Sequence, residues 1–126
     1  MDFRRETVAD LANQVRSGQL SARELVQVAL DRIEALNPEV NAFTEVHAEE
    51  ALAAAATLDD EVATGEEVGP LAGIPFGVKD LEDAAGYRTT YGSPAFERVA
   101  LAKEDAEHVA RLKQAGAIVV GKTNTP

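Results

Sequence analysis

A short turn-rich stretch near the middle of the chain most constrains what it can fold into. Its residues, Gly69 to Asp80, read GPLAGIPFGVKD, so glycine and proline interrupt a short apolar run. Both residue types favour turns, and the backbone is therefore predicted to turn, run straight for a few residues and stop. The straight part ends at Lys79. An ammonium that follows Ile74, Phe76 and Val78 either reaches solvent or enters a low-dielectric site that favours its neutral form.

Size and charge narrow the functions that the chain could have. It has 126 residues, enough for one domain with a core, and its 12 basic against 22 acidic residues give a net charge of -10. The acidic residues are spread over the predicted helices and no basic cluster occurs, so we expect no direct nucleic-acid binding. The absence of cysteine excludes thiol nucleophiles, disulfides and thiolate metal sites. Without an apolar leader or a membrane-length apolar segment, we expect a cytoplasmic protein that makes no membrane contact.

Residues 1–66 are predicted to be mainly helical. Apolar residues at helical spacing, a capping box formed by Ser21 and Glu24, and an alanine-rich run predict three helices. They run from Thr7 to Gly18, from Ser21 to Asn37-Pro38 and from Ala48 to Ala63, with a short candidate strand from Asn41 to Val46. We interpret this portion as a helical preface.

Residues 67–126 are predicted to begin an α/β core. After the central stretch, turns continue to Phe96, and a fourth helix around Ala106 to Lys113 is ended by Gly116. The run from Ala117 to Val120 is continuously apolar, which is typical of a buried parallel strand. A helix, a glycine and a buried strand make half of an α/β crossover. The predicted fold class is therefore α/β, with a sheet that is incomplete in this chain.

One motif match points to nucleotide binding, but its context argues against it. The residues from Gly116 to Thr123 fit the phosphate-loop pattern of glycine, any four residues, glycine, lysine and threonine. That motif needs a flexible loop whose amides and following helix N-terminus receive phosphates. Here the intervening residues are themselves the predicted strand, and Asn124-Thr125-Pro126 form no helix. We therefore do not assign Lys122 to a nucleotide site.

The histidines and aromatic residues give no separate site. His47 with Glu49 and Glu50 fits no recurrent metal-ligand spacing, and His108 lies on a charged helix. We interpret both histidines as exposed surface residues and expect neither a metal nor a cofactor. Three aromatic side chains are predicted to pack in a core rather than to stack on a base: Tyr87, Tyr91 and Phe96.

Lys79 is the candidate catalytic residue, and it has an ordinary alternative. A lysine that is followed by an aspartate, here Asp80, most often forms a surface ion pair. The functional alternative requires more, because a lysine acts as a base only when it is neutral, and burial among Ile74, Phe76 and Val78 would supply only part of the required pKa shift. Spacing alone favours the surface ion pair.

Several ordered motifs resemble the start of the amidase signature family. They are the segments from Pro70 to Asp80, from Gly86 to Ser93 and from Gly116 to Asn124, preceded by Leu20 to Leu25 in the helical preface. The family includes aliphatic and aryl amidases, fatty-acid amide and carbamate hydrolases, and the A subunit of the aminoacyl-tRNA amidotransferase. The resemblance implies a single large α/β/α domain built on a mixed sheet, of which this chain would contain the N-terminal helices and the first strands.

The resemblance also implies a mechanism that hydrolyses carboxylic amide C–N bonds through a Ser-cisSer-Lys triad. Lys79 matches the family's lysine, which takes a proton through a bridging serine while a second serine attacks the carbonyl. Both serines of the family lie downstream of the segment that matches Gly116 to Asn124. The serines present, Ser17, Ser21 and Ser93, match neither, so Lys79 is the only triad member expected here.

Three functions stay open at this point. The chain could belong to an amidase that acts on a small-molecule amide, to the A subunit of an aminoacyl-tRNA amidotransferase, or to a non-catalytic fragment or interaction module. For a fragment of an amidase domain we expect self-association or pairing with the remainder of the domain, because an incomplete sheet leaves strand edges uncovered, whereas a compact monomer that melts cooperatively would favour an independent module.

Overall fold

The computed structural model describes all 126 residues as an α/β fold with four α-helices, one 3₁₀ turn and three strands. The elements in chain order are α1 (Val8–Arg16), α2 (Ala22–Val40), β1 (Phe43–Val46), α3 (Ala48–Ala63), β2 (Pro75–Lys79), the 3₁₀ turn (Pro94–Phe96), α4 (Glu107–Gln114) and β3 (Ile118–Thr123). No helix combines the length and the apolar character that a membrane crossing requires. The predicted fold class is confirmed.

The strands form one mixed sheet in the order β1-β3-β2. Central β3 pairs antiparallel with β1 and parallel with β2. Helix α4 connects β2 to β3, so these three elements form the α/β crossover that the sequence predicts. β1 and β2 each have a single neighbour, which leaves an open strand edge on either side of the sheet.

The start of α2 follows the predicted capping box, and its end does not follow the prediction. Ser21 Oγ accepts a hydrogen bond from the Glu24 amide at 2.9 Å, and Glu24 Oε2 accepts one from the Ser21 amide at 3.1 Å. The predicted stop at Asn37-Pro38 is wrong, because the helix continues through Pro38 to Val40. A proline this close to the C-terminus removes only one hydrogen bond, and the helix ends where Asn41 adopts a left-handed φ of 49°.

Two hydrophobic clusters lie on opposite faces of the sheet. The larger contains 13 buried residues from α1, α2, α3 and the sheet, among them Ile118 and Val120. The smaller joins Val78, Ala84, Tyr87 and Val109 of α4, and Val119 packs against it. Because alternate side chains of a strand point to opposite faces, β3 serves both clusters. The helices therefore cover the sheet in an α/β/α arrangement.

A bulge between β2 and β3 sets which side chains meet at the ends of these strands. The pairing shifts between Phe76 and Gly77, and beyond it Val78 pairs with Lys122 and Lys79 with Thr123. The predicted buried strand covers residues 117–120, but β3 continues to Thr123. Gly121 permits this continuation, since a Cβ there would lie 2.6 Å from the Glu45 carbonyl oxygen of β1.

Candidate functional site

Lys79 is the last residue of β2, and its side chain is exposed. It takes part in none of the ion pairs of the chain. The surface pair with Asp80 that spacing favoured is therefore wrong. Asp80 is fully buried and bonds elsewhere, because consecutive residues at the end of a strand point to opposite faces.

The partner of Asp80 is Lys122, and both side chains are completely buried, with exposures of 0%. Lys122 Nζ donates three hydrogen bonds: to Asp80 Oδ1 at 3.2 Å, to the Arg88 carbonyl oxygen at 3.0 Å and to Thr89 Oγ1 at 3.2 Å. An ammonium has three donors, so its hydrogen-bonding capacity is used in full. Sequence reasoning missed this residue. The available signal was a lysine two positions after the predicted apolar strand, since a charge so close to buried apolar residues needs a buried partner.

Asp80 ties the loop that follows β2 back onto the sheet. Its carboxylate accepts hydrogen bonds from the Thr90 amide at 2.9 Å, from the Thr90 hydroxyl and from Lys122. Its own amide donates to the Thr123 carbonyl at 2.8 Å, and its carbonyl accepts from the Tyr91 amide at 2.9 Å. Burial alone would raise the pKa of Asp80, but the bonds from Thr90 and Lys122 lower it below its ordinary value. The lowered pKa favours the ionised carboxylate of Asp80.

A second polar cluster joins the end of β1 to the same loop. The ring of His47 stacks on Tyr87, with centroids 3.9 Å apart and planes inclined by 13°. Glu45 Oε1 lies 3.0 Å from His47 Nε2, and Glu45 Oε2 accepts from the Arg88 amide at 3.0 Å. Glu45 Oε1 also forms an ion pair with Arg88 Nη1 at 3.6 Å. His47 is therefore a partly buried structural residue, and its predicted position on the exposed surface is wrong.

The predicted core position is confirmed for one of the three aromatic residues. Tyr87 is buried, and burial, with smaller contributions from the carboxylates of Glu45 and Glu50, raises its pKa to about 12. Tyr91 and Phe96 are 52% and 42% exposed and pack edge-to-face against each other on the surface. For these two residues the prediction is wrong, because the turns that carry them leave the sheet after Asp80.

The three serines are engaged in the main-chain structure around them. Ser21 caps α2, Ser93 Oγ accepts from the Ala95 amide at 3.3 Å, and Ser17 Oγ donates to the Gln14 carbonyl at 3.1 Å. None lies in contact with Lys79 through a side-chain hydrogen bond. No group of three or more histidine and carboxylate side chains is arranged to bind a metal ion.

The phosphate-loop match is also settled by geometry. Residues Ile118–Thr123, which cover most of the match, are the central strand of the sheet, and Lys122 is enclosed by its three acceptors. Since a phosphate site needs an accessible loop and an available lysine, the match is not a nucleotide site. The predicted strand in place of a phosphate-binding loop is confirmed.

Comparison with known proteins gives a consistent assignment. The amidase family model matches residues 24–126. The A subunit of the glutamyl-tRNA(Gln) amidotransferase of Synechococcus sp. (strain CC9605) is 44% identical over 124 residues, which are 98% of this chain and 25% of that protein.

Two solved structures are similar in both sequence and fold. The native peptide amidase from Stenotrophomonas maltophilia superposes with a TM-score of 0.86 at 41% identity, over 95% of this chain and 25% of the other. A bacterial aryl acylamidase of the amidase signature enzymes gives 0.87 at 30% identity, over 96% and 25% of the respective chains. The chain thus spans about a quarter of the length of these proteins. It belongs to the amidase signature family, of whose domain it contains the N-terminal part.

Proposed function

We propose that this chain supplies the N-terminal part of an amidase that hydrolyses carboxylic amide C–N bonds, with Lys79 as its catalytic base. The observation that carries this proposal is the position of Lys79: it is exposed and unpaired at the carboxyl end of a parallel strand. In open α/β sheets, ligands bind outside the carboxyl ends of the strands. Lys79 therefore lies where a substrate would be expected, in the segment that matches the family's lysine.

The proposed role of Lys79 depends on residues outside this chain. The family's nucleophilic and bridging serines lie beyond the matched segment, and the serines present serve as caps and turns. When the rest of the domain covers Lys79, desolvation would favour the neutral amine, which can accept the serine proton. Arginine could not replace it, because a guanidinium stays charged. We therefore expect the chain by itself to be inactive.

Two surfaces support the proposal that the remainder of an amidase domain packs on this chain. An apolar groove of about 460 Å³ lies between α1, α2 and the sheet, and Val8, Leu36 and Val40 on it are 53%, 48% and 63% exposed. The free edge of β2 lies beside it, since the groove is also lined by Pro75–Gly77. Water-exposed apolar surface and an open strand edge both favour association. We further propose that the complete protein acts in the cytoplasm.

Turnover of an aryl amide tests the proposed function. The isolated 126 residues should give no turnover above background, whereas the complete amidase chain that contains them should be active and should lose activity in Lys79→Ala. The matched control is Lys103→Ala, which removes an exposed lysine that forms no ion pair. Activity of the isolated chain, or an active Lys79→Ala variant of the complete chain, would contradict the proposal.

Size-exclusion chromatography separates this proposal from an independent interaction module. With the groove and the edge of β2 uncovered, the isolated chain should self-associate or be partly unfolded. A compact monomer that melts cooperatively would instead favour an independent module.

A second candidate is the A subunit of an aminoacyl-tRNA amidotransferase. The 44% identity to the protein from Synechococcus favours it, because that similarity extends over nearly the whole chain. The two candidates differ in their products: the amidase releases its acyl group to water as a carboxylate, whereas the amidotransferase uses ammonia to form an amide on aminoacyl-tRNA. Comparing aryl-amide hydrolysis with ammonia-dependent amidation of aminoacyl-tRNA in the complete chain and its partner subunits would distinguish them.

A further inference from the structure

We infer that Asp80 and Lys122 are positioning residues for Lys79: Lys122 neutralises the carboxylate that directly follows Lys79 after the end of β2, so that this charge does not oppose the proposed role of Lys79 as a base. This inference rests on the proposed function of Lys79. It adds a role for a buried pair that does not itself reach the substrate.

The pairing of β2 with β3 places the backbone of both residues next to that of Lys79, while the Asp80 side chain lies on the opposite face of the strand. Asp80 is its neighbour in sequence, about 3.3 Å further along the strand direction. Across the parallel ladder Lys79 pairs with Thr123, and Lys122 is the residue before it. The Asp80 amide donates to the Thr123 carbonyl at 2.8 Å, which fixes the end of β2 against β3 at this position. Lys79 therefore extends from a backbone segment that the buried pair holds in place.

The charges of the pair act on Lys79 in opposite directions. A carboxylate near a lysine favours the ammonium form, which is the wrong protonation state for a base. A nearby cation favours the neutral amine. Because both members are fully buried, water screens their charges less than it screens those of exposed groups. When both members are present, their opposite charges largely cancel at Lys79. When either member is removed, the charge of the remaining member acts on Lys79 without this cancellation.

Other charged groups surround the same region and stay unchanged in the experiment below. On β1 and just after it, Glu45 is paired with His47 and Arg88. In the loop after β2, Asp83 Oδ1 accepts from Thr89 Oγ1 at 2.6 Å, and the Glu82 amide donates to the Lys79 carbonyl at 2.9 Å. On the helical side, Glu6 and Arg32 line the groove that β2 borders. On the other face, Asp105 is paired with Lys113 of α4.

The test is the pH dependence of kcat/KM for an aryl amide in the complete amidase chain, measured in a charge cycle. Asp80→Asn leaves the cation unopposed and should move the acidic limb of the profile to lower pH. Lys122→Met leaves the carboxylate unopposed and should move it to higher pH. Each shift should be about one pH unit, a tenfold change in rate on the limb, which is the order expected for one weakly screened unit charge. The double variant, with neither charge, should return the limb to its original position.

A purely structural pair would behave differently. If the pair only holds the backbone in place, every variant would have a lower kcat, and the acidic limb would not move in opposite directions in the two single variants. The double variant would then not restore kcat. Either result would overturn the inference. If Lys122→Met does not fold, Asp80→Asn and the double variant still carry the test, because the first should shift the limb and the second should restore it.

The controls separate this inference from the proposed function. If Lys79→Ala leaves the complete chain active, the proposed function fails, and the inference fails with it. If Lys79→Ala abolishes activity but the acidic limb stays fixed in Asp80→Asn, the inference alone is wrong.

Discussion

Lys122→Met should destabilise the chain by about 3 kcal/mol. Methionine has a length and volume close to those of lysine, so the substitution leaves little cavity. The cost arises instead from the Asp80 carboxylate, which loses its cation while fully buried, and from the Arg88 carbonyl and Thr89 hydroxyl, which lose a donor. Removing one partner of a buried ion pair typically costs about 3–5 kcal/mol. Two hydrogen bonds from Thr90 still reach the carboxylate, which places the expected value at the lower end.

Urea unfolding followed by far-UV circular dichroism measures this effect in the 126-residue chain. With a slope of about 1.5 kcal/mol per molar urea, the midpoint should fall by about 2 M. All variants are compared at one protein concentration, because self-association makes apparent stability depend on concentration.

The double variant Asp80→Asn/Lys122→Met is the matched control. It contains no buried charge, so its loss of stability should be smaller than that of Lys122→Met by about 2 kcal/mol. A decrease in the free energy of unfolding of less than about 1 kcal/mol in Lys122→Met would contradict this prediction. So would a decrease in the double variant that equals the sum of the decreases in the two single variants.

Three further predictions concern stability. Asp59→Ala should lower the free energy of unfolding by about 1–2 kcal/mol, because the Asp59 carboxylate accepts hydrogen bonds from the Ala22 and Arg23 amides, at 2.7 and 3.1 Å, at the start of α2. The same substitution at exposed Asp60 is the control, and its urea midpoint should change little. Because folding lowers the pKa of Asp80, its carboxylate stabilises the fold at pH values above the pKa of the unfolded chain, about 3.9, and this stabilisation is lost as the pH falls through the pKa of the folded chain. In Asp80→Asn the urea midpoint should therefore decrease less steeply as the pH is lowered. Gly121→Ala should lower the free energy of unfolding by about 1–3 kcal/mol, because the added methyl group would clash with the Glu45 carbonyl oxygen. Gly77→Ala should have a smaller effect, since its methyl group would meet the Thr123 side chain, which can move. Equal urea midpoints for the two variants would contradict this prediction.

Local sequence signals predicted most of the elements. Three elements are specified by residues close together in the sequence: α2 by the capping box at Ser21 and Glu24, α3 by its alanine-rich run and β3 by its apolar run. The predicted positions of α2 and β3 are close to the observed ones, and the predicted bounds of α3 match the observed bounds. The ends of elements were less predictable. Whether α2 stops at Pro38 or β3 at Val120 depends on packing and strand pairing with distant residues.

The sequence likewise identified some residues of the candidate site and not others. The motif around Lys79 could be recognised in the sequence, and its place at the end of β2 agrees with the predicted strand. The partner of Asp80 could not be recognised, because Lys122 lies 42 positions away and its own surroundings resemble a phosphate loop. The position of His47 against Tyr87 was equally hidden, since the two rings belong to segments that meet only in the folded chain.

The sequence by itself therefore determined the α/β class, the family resemblance and the candidate base. Only the tertiary structure decided that Asp80 pairs with Lys122. The physical reason is the bulge between β2 and β3, which sets the register of the two strands and places Val78 opposite Lys122. Register is a property of two strands together, and neither segment specifies it alone.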